Sequence, residues 1–391
     1  MKFVIEGIGL TSGGGKAGTL RLLPSLAKQT AHEFVLLLAN LPEYSNARAS
    51  NLKLMLRPKP GNLLARHLYL NHTVPKICRQ EGADALFCMG NFAPLRPPVP
   101  TLLFVRNPNY TYHEPVAYAR TTLREKAIIW YARMCYRRLP SSVRVVVQTE
   151  VMKRRMAAFY NLDPSRIVVI RDSDGLPAAC TGQVTRPRGA ASDPFTFLCL
   201  AAYAPHKNLE VLLEAMKRLS AYSSRPARCV ITVAPQQHPG ARRLLEQIQR
   251  KKLGDLLINI GPVSGTELER AYMLADAAIQ PTLLESFGRV YYESMRFDLP
   301  VLTSDRDFAR CVCQDAAAYF GPLDADAVAR AMAALMEDEN LRSRLVENAR
   351  RILQQVPTWD QIAARFVDAL ERTASGRLPT DGESESQPQD G

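Results

Sequence analysis

The amino-acid sequence predicts an α/β protein with two domains, each built on a parallel sheet that helices cover on both faces. Strand-like and helix-like segments alternate along the chain, which is typical of parallel sheets with crossover helices. The 391 residues, 47% of them hydrophobic, suffice for two domain cores. Residues 181–193 combine Gly, Pro, Arg and Ala without an apolar period, so they mark the linker. The predicted domains are 1–180 and 194–356, followed by a helical segment at 357–375 and a disordered tail at 376–391.

Individual elements follow from apolar runs and from apolar residues at helical spacing. In the first domain, the predicted strands are 2–10, 33–39, 53–57, 85–88, 101–105 and 166–170, and the predicted helices are 63–81 and 120–138. In the second part of the chain, the predicted strands are 195–202, 228–234, 256–261, 277–281 and 301–304, and the predicted helices are 209–219, 242–253, 267–275, 290–297, 326–337, 340–353 and 359–371.

A glycine-containing segment, residues 11–18, lies between the first strand and a helical pattern that begins at Leu20. It is predicted to be a loop, because a strand, a glycine loop and a helix together can cradle a phosphate. Gly14 and Gly15 are the expected phosphate contacts, with Lys16 beside them. The glycine spacing matches neither the G-x-G-x-x-G pattern nor a P-loop, so the motif does not define the ligand.

The positive charge of the chain is unevenly distributed. The formal net charge is +12, but residues 1–180 carry +14 and residues 181–391 carry −2, from their Lys, Arg, Asp and Glu content. The first half is therefore expected to face an anionic partner, which could be a membrane, a phosphate-bearing substrate or nucleic acid. The alternative is that the positive charge serves solubility alone. No recognised nucleic-acid motif accompanies the charge, so we expect no nucleic-acid partner.

The predicted helix 120–138 is basic and amphipathic. Its apolar stripe consists of Leu123, Ala127, Trp130, Tyr131, Met134 and Cys135. Two interpretations stay open: the stripe packs into its own domain, or the helix lies on an anionic membrane with its aromatic side chains at the interface. In the second case the side chains that contact the membrane would be Arg120, Arg124, Arg133 and Arg137.

Several other classes of protein are excluded by composition. Eight cysteines lack a disulfide framework or metal-ligand spacing, which indicates a reduced, cytosolic compartment and no metal site. Asp172 and Asp174, which follow an apolar strand, favour a turn. The first residues form a strand and not a signal peptide, and no apolar run is long enough to span a membrane. We expect a cytoplasmic protein. The basic helix also allows a peripheral position on the inner face of the membrane.

Two carboxylates eight residues apart, Glu285 and Glu293, flank a predicted helix start at Gly288. A glycine there lets a ligand approach the free backbone N–H groups, and the helix dipole favours an anion. The acids would then accept hydrogen bonds from hydroxyl groups on either side of a phosphate, which suggests a sugar nucleotide. The alternative is a surface helix with two solvated glutamates.

Five blocks in the second half, in order, resemble the retaining glycosyltransferases of the GT-B fold, the large group-1 family (glycosyltransferase family 4). They are Ala201-Ala-Tyr-Ala-Pro-His206-Lys207-Asn208-Leu, Pro281-Thr-Leu-Leu-Glu285-Ser-Phe-Gly288, Leu299-Pro-Val-Leu-Thr-Ser-Asp305, Asp315-Ala-Ala-Ala-Tyr-Phe-Gly-Pro322 and Trp359-Asp-Gln-Ile-Ala-Ala. The resemblance covers roughly residues 195–370. It implies two Rossmann-like domains facing a cleft, with the last helix crossing back to the first domain.

The resemblance also implies roles for individual residues. Lys207 would neutralise the leaving diphosphate together with the backbone at Phe287 and Gly288. Glu285 would hold hydroxyls of the transferred sugar, and Glu293 the ribose hydroxyls. Transfer would retain configuration without a metal or cofactor, the nucleotide sugar being a substrate.

The chain departs from the family pattern at two positions. Where the family often has an arginine on the diphosphate, five residues before the lysine, this chain has Ala202. Arg289 or Lys16 is the expected substitute for that charge. A family histidine is also absent near Arg106 and Asn107, and the nearest candidate is His113. Arg106, Asn107 and His113, together with Lys16, are the expected acceptor or other contacts of the first half.

The function predicted from the sequence is therefore that of a hexosyltransferase. It would move a sugar from a nucleotide-diphosphate donor to a polysaccharide or lipid-linked acceptor, as in cell-surface polysaccharide or lipopolysaccharide synthesis. The alternative is a catalytically silent GT-B scaffold or nucleotide-binding partner subunit.

Overall fold

The chain forms two compact units. The computed structural model describes residues 1–11, 13–173 and 193–377. Within them, the first unit comprises residues 1–112, 123–173 and 357–377, and the second comprises 113–122 and 193–356. Asp174, residues 181–192 of the predicted linker and residues 378–391 of the predicted tail lie outside the described residues.

The first unit is built on a sheet of seven parallel strands in the order β3-β2-β1-β4-β5-β6-β7. The strands are β1 (Lys2–Gly7), β2 (Glu33–Ala39), β3 (Leu52–Arg57), β4 (Ala85–Cys88), β5 (Thr101–Phe104), β6 (Val143–Val147) and β7 (Ile167–Val169). Most of their residues are buried, as expected when helices cover both faces of a parallel sheet.

The second unit is built on six parallel strands in the order β10-β9-β8-β11-β12-β13. They are β8 (Phe195–Cys199), β9 (Ala227–Ile231), β10 (Leu257–Asn259), β11 (Ala277–Gln280), β12 (Val301–Ser304) and β13 (Ala317–Phe320). Both sheets reverse their strand order beside the first strand of the unit, which is the doubly wound arrangement of Rossmann-like domains. The predicted fold class is confirmed.

The helices follow the chain between these strands. They are α1 (Gly13–Ala27), α2 (Leu63–Leu68), α3 (Val74–Glu81), α4 (Pro115–Ala119), α5 (Leu123–Tyr136), α6 (Glu150–Tyr160), α7 (Glu210–Leu219), α8 (Pro239–Arg250), α9 (Thr266–Leu274), α10 (Arg289–Arg296), α11 (Asp307–Cys313), α12 (Ala325–Glu337), α13 (Glu339–Leu353) and α14 (Trp359–Ala374). Among the residues that the structure describes, no helix is both long and apolar enough to cross a bilayer.

The last helix, α14, belongs to the first unit although it ends the described chain. It begins with a capping box in which Thr358 and Gln361 satisfy each other's backbone N–H groups. Its Phe366 ring lies 5.0 Å from the Phe87 ring and 5.3 Å from the Phe104 ring in the core of that unit. The predicted return of the last helix to the first domain is thus confirmed.

The glycine segment after β1 differs from the sequence prediction. Gly14 and Gly15 lie in the first turn of α1, which starts at Gly13, so the predicted loop at 11–18 is wrong. Glycine costs up to about 1 kcal/mol per residue in a helix. The helix forms because Gly18 and Leu22, among others, are buried against the core, and this packing outweighs the low propensity.

The basic helix α5 buries a different face from the one that the sequence predicted. Ile129, Ala132 and Tyr136 face the interior, whereas Leu123 and Trp130 of the predicted stripe are 85% and 65% exposed. Apolar residues occur on both sides of this helix, so helical spacing did not reveal which side is buried. The prediction that the stripe packs into its own domain is wrong for these two residues.

Candidate active site

The loop that carries Lys207 connects β8 to α7 in the second unit. Its last turn is a short 3₁₀ segment, Pro205–Lys207, followed by Asn208 in a left-handed conformation at φ +54°. Asparagine tolerates this conformation better than most residues. The buried Asn208 amide donates hydrogen bonds to the carbonyls of Pro281 (3.2 Å) and Pro322 (2.7 Å). Asn208 therefore ties the lysine loop to the loops after β11 and β13.

The loop after β11 also donates hydrogen bonds to the lysine loop. The Leu283 N–H and the Thr282 hydroxyl both donate to the carbonyl of His206, at 2.7 and 3.1 Å. Since β8 and β11 are neighbours at the point where the strand order reverses, the two loops meet at the carboxyl edge of the sheet. Ligands of open α/β sheets bind at such a point.

Lys207 and Glu285 form a largely buried ion pair at this edge. The Lys207 Nζ atom lies 2.8 Å from Glu285 Oε2 and 3.2 Å from Oε1. The two side chains are 18% and 13% exposed, so each remains in contact with solvent. A cation that can bind a phosphate therefore lies next to a carboxylate that can accept hydrogen bonds from hydroxyl groups.

The start of α10 at Gly288 is shaped for close approach of a ligand. Gly288 has φ +82°, where side chains are strained, and a Cβ atom there would lie 2.6 Å from the Tyr291 ring. The same Cβ atom would lie 3.1 Å from Glu285 Cγ, so the helix start is adjacent to the ion pair. The first turn of a helix has backbone N–H groups without intrahelical partners, and its dipole attracts anions. The predicted helix start is confirmed.

Glu293, in the second turn of α10, is held by a buried tyrosine. Its Oε2 atom accepts a hydrogen bond of 2.8 Å from the Tyr272 hydroxyl, and the Tyr272 ring stacks on Phe297 at 4.9 Å. Burial, reinforced by the nearby Glu293 charge, raises the pKa of Tyr272 well above its ordinary value. Tyr272 therefore stays protonated and fixes the orientation of the half-buried Glu293 carboxylate.

Phe287 is buried, with its ring 5.1 Å from Tyr292 in an edge-on contact, so it anchors the turn that precedes Gly288. Ala202, at the position of the family arginine, is exposed and has an uncharged side chain. Arg289 is the first residue of α10 and lies directly after Gly288. Lys16 pairs with Glu43 at 2.5 Å in the first unit. Replacement of the missing arginine by Arg289 or by Lys16 stays a prediction.

The predicted sites of the first unit centre on Arg106 and Asn107. Both backbone N–H groups donate to the Asn91 side-chain carbonyl, at 2.6 and 3.0 Å. The Arg106 guanidinium donates to the Met89 carbonyl at 3.0 Å, and a Cβ atom at Gly15 would lie 3.5 Å from it. The structure thus brings Arg106 next to the start of α1, where Gly14 and Gly15 lie.

His113 belongs to the second unit, unlike Arg106 and Asn107. It is exposed, and its ring lies 5.9 Å from that of Tyr118. The units therefore divide the predicted residues into two groups, one with Lys207, Glu285 and α10 and one with α1, Arg106 and Asn107. The role of each residue in binding stays a prediction.

Residues 113–122 form a segment that sequence reasoning missed as part of the second unit. Arg120 donates from Nη1 to the Asn208 side-chain oxygen at 3.0 Å and to Glu210 at 3.2 Å. Glu114 lies 3.6 Å from the Arg306 guanidinium. Arg120 therefore supports the lysine loop, and its membrane contact stays a prediction. No local pattern could have shown this support, because 88 residues separate Arg120 from Asn208.

Arg133 is engaged within the first unit. Its guanidinium donates to the backbone carbonyls of Asn109 (3.2 Å) and Tyr112 (2.7 Å) and lies over the Phe159 ring. These contacts tie α5 to the turn after β5 within the first unit. The membrane contact predicted for Arg133 stays a prediction.

Substitution of Asn208 is expected to loosen the lysine loop. Asn208→Gly keeps the left-handed backbone accessible but removes the bonds to both proline carbonyls. We expect the free energy of unfolding of the second unit to fall by about 1–3 kcal/mol, as measured by chemical denaturation. Ligand binding should also become weaker. Asn161→Gly is the matched control, since Asn161 is an exposed asparagine at φ +51°. Equal effects of the two substitutions would contradict the proposed role of the Asn208 amide.

No group of three or more His, Cys, Asp or Glu side chains with metal-binding geometry occurs within residues 1–11, 13–173 and 193–377. The binding groups described above are one cation, two oriented carboxylates and a helix start. Together they can hold an anionic phosphate and hydroxyl groups on both sides of it.

The chain is similar in sequence to known proteins. Residues 184–352 match the family model described as glycosyl transferases group 1. The chain is 29% identical over 243 residues to D-inositol 3-phosphate glycosyltransferase of Geodermatophilus obscurus, covering 59% of this chain and 54% of that protein. A second such relative, from Thermomonospora curvata, is covered over 60% of its length. The chain thus spans a little over half of the length of these two relatives.

Solved structures resemble the chain over nearly its whole length. Anabaena Alr3699/HepE in complex with UDP-glucose aligns with a TM-score of 0.69 at 13% identity, covering 95% of this chain and 99% of that one. WaaG, a glycosyltransferase involved in lipopolysaccharide biosynthesis, aligns with a TM-score of 0.68 at 14% identity and the same coverage. At these identities the likeness establishes the fold. The chain therefore has the GT-B fold, and its residues 184–352 are similar to the group-1 glycosyl transferases.

Proposed function

We propose that this protein transfers a sugar from a nucleotide-diphosphate sugar to a polysaccharide or lipid-linked acceptor, with retention of configuration. The observation that carries the proposal is the Lys207–Glu285 pair beside the Gly288 helix start, with Glu293 oriented one turn further on. This arrangement matches a donor that has a sugar, a diphosphate and a ribose in sequence. Resemblance to the family supports the same assignment.

In the proposed reaction, the bond between the sugar and the diphosphate breaks and negative charge grows on the leaving oxygen. Lys207 and the N–H groups at the start of α10 stabilise that charge, so the step is assigned without a metal or cofactor. Glu285 holds hydroxyls of the transferred sugar and Glu293 those of the ribose. The acceptor attacks from the face that the diphosphate leaves, and the leaving phosphate takes the acceptor proton.

The named relatives support these substrate classes without defining them for this chain. One solved structure of the same fold holds UDP-glucose, and another belongs to a protein of lipopolysaccharide biosynthesis. The sequence relative is named for an inositol phosphate acceptor. An anionic acceptor of this kind would suit the +14 of residues 1–180.

The Glu293→Ala variant tests the ribose assignment. We expect nucleotide affinity to fall about 10- to 100-fold, because hydrogen bonds to a charged carboxylate contribute roughly 1.5–3 kcal/mol. The measurement is calorimetric titration with a panel of nucleoside diphosphates and nucleotide sugars. Glu339→Ala, which removes an exposed glutamate of the same unit, should bind as the wild type does. Unchanged affinity in Glu293→Ala would exclude the ribose role.

A catalytically silent nucleotide-binding subunit is the second candidate function. The exposed Ala202, in place of a family arginine, favours it. Such a protein would shift its melting temperature with a nucleotide sugar yet release no nucleotide and form no product. Turnover of any donor, with or without an acceptor, would exclude this alternative.

A further inference from the structure

Residues 113–122 lie across the carboxyl edge of the second sheet. Glu114 lies 3.6 Å from the Arg306 guanidinium in the loop after β12, and Arg120 donates to the lysine loop after β8. Between these two contacts, α4 packs against the 3₁₀ turn of the lysine loop. Since β8, β11 and β12 are consecutive neighbours in the sheet, a segment held at both outer loops passes the carboxyl end of β11, where the loop with Glu285 begins.

The Arg120 guanidinium is anchored on the lysine loop through one nitrogen atom. Its Nη1 atom donates to the Asn208 side-chain oxygen at 3.0 Å and to Glu210 Oε2 at 3.2 Å. The amide nitrogen of Asn208 already donates to two carbonyls, so Arg120 supplies a donor for the amide oxygen. Because Asn208 is only 2% exposed, this end of the guanidinium is fixed by a buried partner.

The rest of the Arg120 guanidinium remains accessible. The side chain is 36% exposed, and among residues 1–11, 13–173 and 193–377 the bonds of its guanidinium all use Nη1. The Nε and Nη2 groups are therefore donors that a ligand can reach. Arginine presents such a pair of donors as a planar fork, which binds phosphate through two parallel hydrogen bonds.

A diphosphate at this edge needs more positive charge than Lys207 supplies. Each phosphate of a nucleotide sugar carries negative charge, and further charge develops on the leaving oxygen during transfer. Lys207 is paired with Glu285 at 2.8 Å, so the pair as a whole is neutral. The start of α10 contributes the equivalent of only about half an elementary charge. A second cation at the same edge is therefore expected.

We propose that Arg120 is this second cation and that it binds the donor diphosphate together with Lys207. In the complex, Nε and Nη2 donate to phosphate oxygens while Nη1 keeps the guanidinium on Asn208 and Glu210. Such a contact requires a nucleotide-diphosphate donor, so it rests on the proposed function. Lys16, one of the two replacements predicted from the sequence, lies in the first unit, whereas Arg120 lies on the lysine loop itself.

Calorimetric titration of the full chain measures this contact. UDP, GDP and ADP are the probes, and the one that the wild type binds most tightly is compared with its nucleoside, which lacks phosphate. Arg120→Met should lower the affinity for the diphosphate about 10- to 100-fold, the range for hydrogen bonds to a charged group. Affinity for the nucleoside, followed by NMR titration, should stay within about twofold of the wild type, because no phosphate contact is lost.

A second-site variant separates contact with the ligand from support of the loop. Ala202 is exposed at the position where the family often has an arginine on the diphosphate. Arg120→Met/Ala202→Arg therefore returns a cation to the site without the bonds to Asn208 and Glu210. Affinity for the diphosphate should recover at least about tenfold relative to Arg120→Met.

Two further variants act as controls. Glu210→Gln keeps a hydrogen-bond acceptor for Arg120 but removes the negative charge beside it, so affinity for the diphosphate should equal or exceed that of the wild type. Arg218→Met removes an exposed arginine of α7 that lies 3.9 Å from Asp326, and it should bind the diphosphate as the wild type does. Chemical denaturation of each variant shows whether the second unit is folded under the conditions of the titration.

Two results would overturn the proposal. In the first, Arg120→Met binds the diphosphate as tightly as the wild type does. In the second, Arg120→Met loses affinity for the diphosphate and for the nucleoside to the same extent, and Ala202→Arg recovers none of it. Arg120 would then act only by supporting the lysine loop.

Lys207→Met in the same titrations distinguishes the role of Arg120 from the donor assignment. If Lys207→Met weakens diphosphate binding and Arg120→Met does not, the donor assignment holds and the role of Arg120 is excluded. If the wild type binds no nucleoside diphosphate, the donor assignment fails and the role of Arg120 fails with it.

Discussion

Replacing Lys207 with methionine is expected to lower the rate of sugar transfer about 100- to 1,000-fold, the range for loss of one preorganised group that stabilises developing charge. Methionine keeps most of the aliphatic length and removes the cation that faces Glu285 at 2.8 Å. The measurement is the rate of nucleotide release from whichever donor the wild-type protein turns over. The loss should appear in kcat more than in KM, because the charge grows as the bond breaks.

Loss of the ion pair has a second effect that must be separated from catalysis. Glu285 is 13% exposed, and without Lys207 its carboxylate is poorly compensated, at a cost of about 1–3 kcal/mol. The double variant Lys207→Met/Glu285→Gln should regain stability but not activity. Lys217→Met, at an exposed lysine of α7, is the control for loss of a cation nearby. Recovery of activity in the double variant would show that Lys207 acts only by stabilising the loop.

Replacing Gly288 with alanine is expected to disrupt donor binding and to destabilise the second unit. A Cβ atom would lie 2.6 Å from the Tyr291 ring, which is itself fixed by a 2.9 Å hydrogen bond between its hydroxyl and Thr303. The left-handed backbone adds about 1–2 kcal/mol of strain for a non-glycine residue. The helix start would have to shift, and we expect donor affinity to fall more than about tenfold, since the N–H groups must point at the phosphate.

The chain offers a matched control for the backbone part of this effect. Gly261 has φ +74°, close to that of Gly288, yet a Cβ atom there would meet nothing within 4 Å. Gly261→Ala should therefore show the strain alone, as a lower melting temperature with unchanged donor affinity. If Gly288→Ala has the same small effect as Gly261→Ala, the close packing at Gly288 does not shape the donor site.

Much of the second unit was predictable because its signals are local. A short apolar strand followed by a glycine and a helical pattern indicates a helix start at the sheet edge, and Gly288 confirms this. Glu285 and Glu293 were predicted from their spacing around that helix start, whereas Lys207 was predicted from the resemblance to a known family. Their roles in binding stay predictions. The alternation of strands and helices likewise predicted two parallel sheets, since crossover connections require it.

Other features depend on contacts between distant parts of the chain, and sequence patterns contain no signal for them. Asn208 bonds to carbonyls 73 and 114 residues away, and Tyr272 orients Glu293 from another helix. Arg120 supports the lysine loop from a segment that joins the second unit.

Packing also decided two questions that periodicity left open. The glycines after β1 are helical because burial in the core compensates for their low propensity. Helix α5 has apolar residues on both sides, and only the fold shows that Ile129, Ala132 and Tyr136 face inward while Trp130 faces solvent. Local spacing thus predicted eleven of the thirteen described strands and the helix start at Gly288, but it missed β6, β13 and the start of α1. The buried side of α5 and the supports of the site depend on which distant groups meet in the folded chain.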